Sequence, residues 1–312
     1  MNQRDRQRAD HLERLLIRFA SATRPLPGIS NPTRRSVLVA QMIDSMRRVE
    51  FVSIVKARPL SPHRCNPQSS LFDPVRAAAY QANAGNIEEA FWLVFLFVHF
   101  GKHRRTGWQL ARNIYGRLSS APPWTWVRVN SAPHAFRAWL ETNMATLSTP
   151  SLAGQFGNHR KYETLRTDTP NGTHAVVESY IKWVAPPRTH RTLFTIALQE
   201  SGGDPRRAFD SLYWSMNVRR FGRTAKFDYL TMVGKLGLAT IEPGTAYLEG
   251  ATGPLRGARL LFGGRPDSKL STASLEKHLQ ELGAHLRLGM QILEDSLCNW
   301  QKHPSIYRRF LG

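Results

Sequence analysis

FGRTAKFDYLTMVGKLGLATIEPGTAYLEGATGPLRGARLLFGG, residues Phe221 to Gly264, is the stretch on which the fold reading turns. Phe227, Leu230, Met232, Val233 and Leu236 recur at helix-like spacing, behind the charged residues Arg223, Lys226 and Asp228. Gly237 reads as the stop, because glycine takes a left-handed conformation at little cost. A short connection is predicted next, with Pro243 suited to a first helical turn. Gly253-Pro254-Leu255-Arg256-Gly257 then leads into a second apolar helical patch. Glycines at such a place let a backbone approach a phosphate, and free N–H groups at a helix start attract anions. A plain turn between two core helices fits the same residues equally well.

Outward from that stretch, helical signals dominate. Asn2 to Ala20 is charged, with Leu12, Leu15, Leu16, Ile17 and Phe19 towards its end, and reads as a docked helix or a basic arm. Asn31 or Thr33 caps the next helix. Val49 to Val55 is β-branched enough for an isolated strand. Asp73-Pro74 and Asp204-Pro205 each pair a capping acid with a proline at the first helical position. Asn86-Ile87-Glu88-Glu89 resembles a capping box ahead of AFWLVFLFVHFG. That run is apolar on all sides and too short to span a bilayer, so it predicts a central buried helix. Further helices are expected near 107–118, 132–147, 175–184, 193–200, 271–288 and 291–302. The class is all-α, with 25–312 as one compact domain behind a segment of 1–24.

Charge narrows the partners. Forty-three Lys and Arg against 23 acids give a formal net charge of +20, which repels itself unless a polyanion shares the surface. A nucleic acid is therefore the first partner and a membrane surface the second. A hydrophobic fraction of 41% and eight Trp supply a large core, which excludes a basic disordered tail. Cys65 and Cys298 are too few for a disulfide framework or a four-thiolate metal site, and fit the reducing cytoplasm. His99 and His103 stand four apart, yet Phe100 and Gly101 between them lack the glutamate of a zinc-protease helix. No metal site is expected.

One short pattern recurs. Phe-Gly followed by basic residues occurs as FGKHRR from Phe100, FGNHRK from Phe156, FGRTAK from Phe221 and FGGR from Phe262. A buried Phe anchors such a turn while cations, His159 and Arg160 among them, face phosphates. EDSLCNWQK, Glu294 to Lys302, puts Glu294, Leu297 and Cys298 on one helix face.

In that order, FGRTAKFDYL, ATGPLRGARLLFGG and EDSLCNWQK resemble the α-glutamyl/putrescinyl-thymine pyrophosphorylases, most closely their third clade. FWLVFLFVHFGKHR and FGNHRKYE resemble it too, so the likeness runs from about Pro25 onward. It implies a helix-hairpin-helix, DNA-glycosylase-like helical domain that binds double-stranded DNA and hypermodifies thymine. On that reading an amine or amino acid replaces pyrophosphate on a flipped 5-pyrophosphoryloxymethyl uracil. Gly253, Pro254 and Gly257 match the family's hairpin, with Arg256 inside it, and Glu294, Cys298 and Lys302 match its C-terminal pattern. Arg223, Lys226 and Arg256 are then candidates to hold the leaving group, and Glu294 ahead of Asp228 to take the amine's proton. All three stretches are expected to meet at one cleft, without a cofactor. A glycosylase-type catalytic Asp about twenty residues past the hairpin is missing: Asp267 stands too near and Glu294 too far. A DNA glycosylase or lyase, or a non-catalytic DNA-binding protein, are the alternatives.

Overall fold

The computed structural model describes residues 2–120 and 122–309. Among the described residues sixteen α-helices run in chain order as α1 (Gln3–Ala22), α2 (Pro32–Ala57), α3 (Pro74–Asn83), α4 (Ile87–Phe100), α5 (Gln109–Tyr115) and α6 (Trp126–Ser131). They continue as α7 (Pro133–Thr142), α8 (Met144–Leu147), α9 (Pro150–Ala153), α10 (Thr173–Val184) and α11 (His190–Glu200). The last five are α12 (Pro205–Ser215), α13 (Arg223–Lys235), α14 (Gly253–Gly263), α15 (Thr272–Leu286) and α16 (Met290–Trp300). Among the described residues two isolated β-bridges occur, His103 with Gly107 and Thr164 with Gly172, and no sheet. The protein is all-α.

Several helix ends follow from single side chains. Asp73 accepts from the N–H groups of Val75 and Arg76, and Asp204 from those of Arg206 and Arg207. Asn31 accepts from the N–H groups of Thr33 and Arg34, and Ser271 caps α15 through Ser274. Gly237, at φ +65°, closes α13 by placing the Leu238 N–H 3.1 Å from the Val233 carbonyl.

Three local expectations are corrected. Val49–Val55 is the end of α2 and not a strand; Val52 and Val55 fall three apart on one buried stripe, and burial overrides β propensity. Asn86 makes no side-chain cap but donates to Gln81 at 2.8 Å, and Glu89, its presumed partner, accepts from the Trp126 N–H and the Tyr115 hydroxyl, both at 2.7 Å. Pro243 starts no helix; it lies in the irregular run between α13 and α14, where Glu276 accepts from the N–H groups of Ala246 and Leu248.

The described helices form two compact units, one of Met1–Val52 with Pro243–Leu311 and one of Ser53–Glu242. In the first, Leu12, Leu16 and Phe19 of α1 are buried in a core with Leu38, Met42, Leu261, Leu282 and Trp300. The N-terminal segment is therefore a docked helix. Phe19 meets His285 edge-on at 5.4 Å, and Asp5 pairs with Arg47. Burial of each such leucine or phenylalanine contributes about 1.5–3 kcal/mol, which favours the docked position of α1.

The second unit is built round α4. Ala90 to Leu96 are at most 1% exposed, as an all-round apolar helix requires. Trp92 donates to the Trp124 carbonyl at 2.8 Å, and Phe95 stacks on Tyr180 at 4.2 Å. A buried polar chain threads these rings. Glu88 accepts from the backbone N–H of His190 at 2.9 Å and from its ring Nδ1 at 2.7 Å. In the neutral ring Nε2 then accepts from the Tyr180 hydroxyl at 2.6 Å, and that oxygen accepts from Tyr229 at 2.8 Å. Burial pushes both tyrosines up and His190 down, so the chain stays uncharged beyond Glu88.

His99 is also buried, 3.0 Å from the Thr173 hydroxyl, and burial pushes it down to about 3. Its unfolded form takes up a proton near 6.5, while the folded form does so only near 3. The stability this provides is full above pH 6.5 and drains away as the pH falls towards 3. We expect urea titrations across that window to show a shallower pH slope in His99→Phe than in the parent; equal slopes would contradict the assignment. Among the described residues, no helix is long and apolar enough to cross a membrane.

Candidate nucleic-acid interface and carboxyl site

Three of the four Phe-Gly turns come together in the second unit. The Gly157 N–H donates to the Phe100 carbonyl at 2.8 Å, and the two phenylalanines stack at 5.5 Å. A Cβ on Gly157 would stand 2.8 Å from the Gly101 carbonyl carbon, so only glycine lets these backbones touch. The third turn joins through Phe95, which stacks on Phe221 at 5.3 Å and on His99 at 5.7 Å. His99 in turn meets Phe156 edge-on at 5.8 Å. One aromatic floor thus anchors turns that lie far apart in sequence. The fourth copy differs: Phe262 sits at the end of α14 in the other unit, against His278.

Cations and two acids lie on or beside these turns. Arg160 donates through Nε to the Val98 carbonyl at 2.7 Å and through Nη2 to Asp228 at 3.1 Å. Arg220 donates to Glu163 at 3.2 Å and to the Tyr162 carbonyl at 3.0 Å. Desolvation by the surrounding protein raises the Asp228 carboxyl above the ordinary Asp range, against the pull of Arg160, Arg223, Lys235 and His159. Its side chain is nevertheless 44% accessible, so the carboxyl is open to solvent. Arg223 lies over the Phe227 ring at 4.8 Å. Lys226 turns aside to the Tyr213 carbonyl at 3.2 Å, and burial lowers its pKa.

In the first unit, Gly253 and Gly257 share the face of α14 that meets α16. A Cβ on Gly257 would lie 2.4 Å from the Leu297 carbonyl oxygen, and one on Gly253 would lie 2.7 Å from Cys298 Sγ. Their missing side chains serve a close helix contact. Pro254 is buried beside them and Arg256 is exposed. Glu294 is half-buried on the face of α16 that carries Leu297 and Cys298. Its neighbour Asp295 accepts from Ser45 at 2.7 Å and from Arg48 at 2.6 Å, while Lys302 donates to Asn299 at 3.0 Å.

The family model for alpha-glutamyl/putrescinyl thymine pyrophosphorylase clade 3 matches residues 33–312. The chain belongs to this family. No curated protein and no solved structure matches it. The family's name points to pyrophosphorylase-type chemistry on thymine.

Within this clade 3 protein the predicted residues fall into two groups. Gly253, Pro254, Arg256, Gly257, Glu294 and Lys302 belong to the first unit; His159, Arg160, Arg223, Lys226 and Asp228 belong to the second. Asp228 pairs with Arg160, sixty-eight residues away in sequence. Arg220, Glu163 and the buried Glu88–His190–Tyr180–Tyr229 chain went unnoticed. The repeated Phe-Gly pattern was the available signal for the first two, since each lies within a few residues of a copy.

Proposed function

We propose that this clade 3 protein binds duplex DNA and replaces pyrophosphate on a 5-pyrophosphoryloxymethyl uracil with an amine or amino acid. The amine nitrogen attacks the 5-methylene carbon, and the carbon–oxygen bond breaks with its electron pair leaving on pyrophosphate. The proton the nitrogen sheds goes to a carboxylate. The observation that carries this reading is Asp228: a desolvated yet accessible carboxyl among cations from separate Phe-Gly turns. A raised carboxyl is the better proton acceptor for an amine, and cations carried on the same turns favour the developing charge of a departing pyrophosphate. A base flipped from the stack can approach such an accessible carboxyl. Family membership supplies the thymine and the pyrophosphate.

Asp228 is ranked here above Glu294, whose helix face is engaged with α14. The glycine-proline segment contributes in this reading through Arg256 and the N-terminus of α14, which face phosphates.

Binding to duplex DNA is expected to be strongly salt-dependent. Affinity should fall by orders of magnitude between about 50 and 200 mM salt if several phosphates are contacted. Arg256→Ala, at an exposed position, should weaken binding with unchanged thermal unfolding and flatten the salt slope by about one unit. Fluorescence anisotropy with a labelled duplex measures both; a salt-independent affinity would remove the nucleic-acid partner. Release of free base or an abasic site would favour the glycosylase reading instead.

A further inference from the structure

The turn that sends Arg160 to Asp228 also walls a cavity of about 380 Å³. That volume falls at the small end of ligand sites, large enough for a nucleotide-sized group. Its lining divides by chemistry. Leu110, Met144, Leu147 and Leu165 offer apolar surface, while His103, Lys161 and Arg166 bring nitrogen donors to the same space.

Each donor has a readable state. His103 Nδ1 accepts from the Thr106 N–H at 3.2 Å, so in the neutral ring the proton sits on Nε2, a donor suited to an anion. Lys161 lies over the Tyr162 ring at 4.9 Å. Arg166 forks onto Asp168 at 2.9 and 2.5 Å, but both side chains are more than 60% exposed, so a multiply charged anion can displace that pairing at small cost. Glu163 is the one carboxylate of the lining; it is 9% exposed and already engaged by Arg220 at 3.2 Å. A diamine therefore finds its only counter-charge occupied. A polyanion finds three donors.

Resting on the proposed function, we infer that this cavity receives the pyrophosphoryl arm of the flipped nucleotide, with the pyrimidine over the apolar wall. The cations of the 156–166 turn then serve two sides of one reaction: Arg160 at the proton acceptor, and Lys161 with Arg166 at the leaving group.

The test is titration calorimetry of inorganic pyrophosphate into the full chain at fixed ionic strength. The parent is expected to bind, and Lys161→Glu/Arg166→Glu to weaken binding at least tenfold. Arg206→Glu/Arg265→Glu, which changes net charge equally at exposed positions elsewhere, should bind within a few-fold of the parent. Equal weakening in both double variants would reduce the effect to global charge and overturn the inference. So would an absence of pyrophosphate binding, or preferential binding of putrescine. Circular dichroism confirms that both variants fold. A chain that modifies thymine while the two double variants bind pyrophosphate alike keeps the proposed function and loses this pocket. Pyrophosphate held at Lys161 and Arg166 with thymine left untouched keeps the pocket and loses the function.

Discussion

Asp228→Asn is expected to lower amine transfer by about 10²–10⁴-fold, the usual contribution of a positioned general base, while duplex affinity stays within a few-fold. Asparagine keeps the shape and the contact with Arg160 but cannot accept a proton. The pH profile adds a second signature. The carboxyl is held above its ordinary value of 3.8, so the acid limb of the rate should lie above that pH as the carboxylate is protonated. The stability consequence has a definite sign. A raised acid favours folding most below 3.8 and loses that advantage as the pH climbs through the folded pKa, and the asparagine variant should lack this slope. Glu294→Gln is expected to retain transfer within a few-fold. The reverse pair of results would move the proton acceptor to α16.

Gly257→Val is expected to destabilise the first unit by about 3 kcal/mol or more, at the upper end of the cost of overpacking. The added Cβ would stand 2.4 Å from the Leu297 carbonyl oxygen, a backbone atom that cannot yield without displacing α16. Gly253→Ala should cost less, because its nearest neighbour is the Cys298 side chain, which can rotate. Thermal unfolding of the two variants separates helix packing from phosphate approach as the reason for these glycines. If Gly257→Val unfolds with the parent while losing only DNA affinity, the packing account fails.

The class and most helix ends were legible because they are local. Asp73-Pro74, Asp204-Pro205, Ser271 and Gly237 each satisfy or terminate backbone groups within a few residues, so their meaning survives without tertiary context. The buried α4 was legible for the same reason: an apolar run with no polar face has nowhere to sit but inside. What failed needed distant partners. Glu88 and Glu89 look like a capping box until His190, Trp126 and Tyr115 claim them. The β-branched end of α2 looks like a strand until Val52 and Val55 are buried. Nothing local to Gly253 and Gly257 announces that α16 lies against them, so their packing contact was not legible. The Phe-Gly turns were visible as a pattern, but their meeting on Phe95 and His99 depends on contacts across more than a hundred residues of chain.

The proposed reaction is exchange of pyrophosphate for an amine on the 5-methylene carbon of a modified uracil in DNA. It is tested most directly by incubating the purified chain with a duplex carrying 5-pyrophosphoryloxymethyl uracil and a candidate amine, then weighing the released nucleosides. The expected product is a nucleoside heavier than thymidine by the amine's mass less two hydrogens, with one pyrophosphate released per nucleoside formed. The same reaction predicts loss of both products in Asp228→Asn. An unchanged substrate nucleoside across amines and amino acids, in a preparation that binds the duplex, would contradict it.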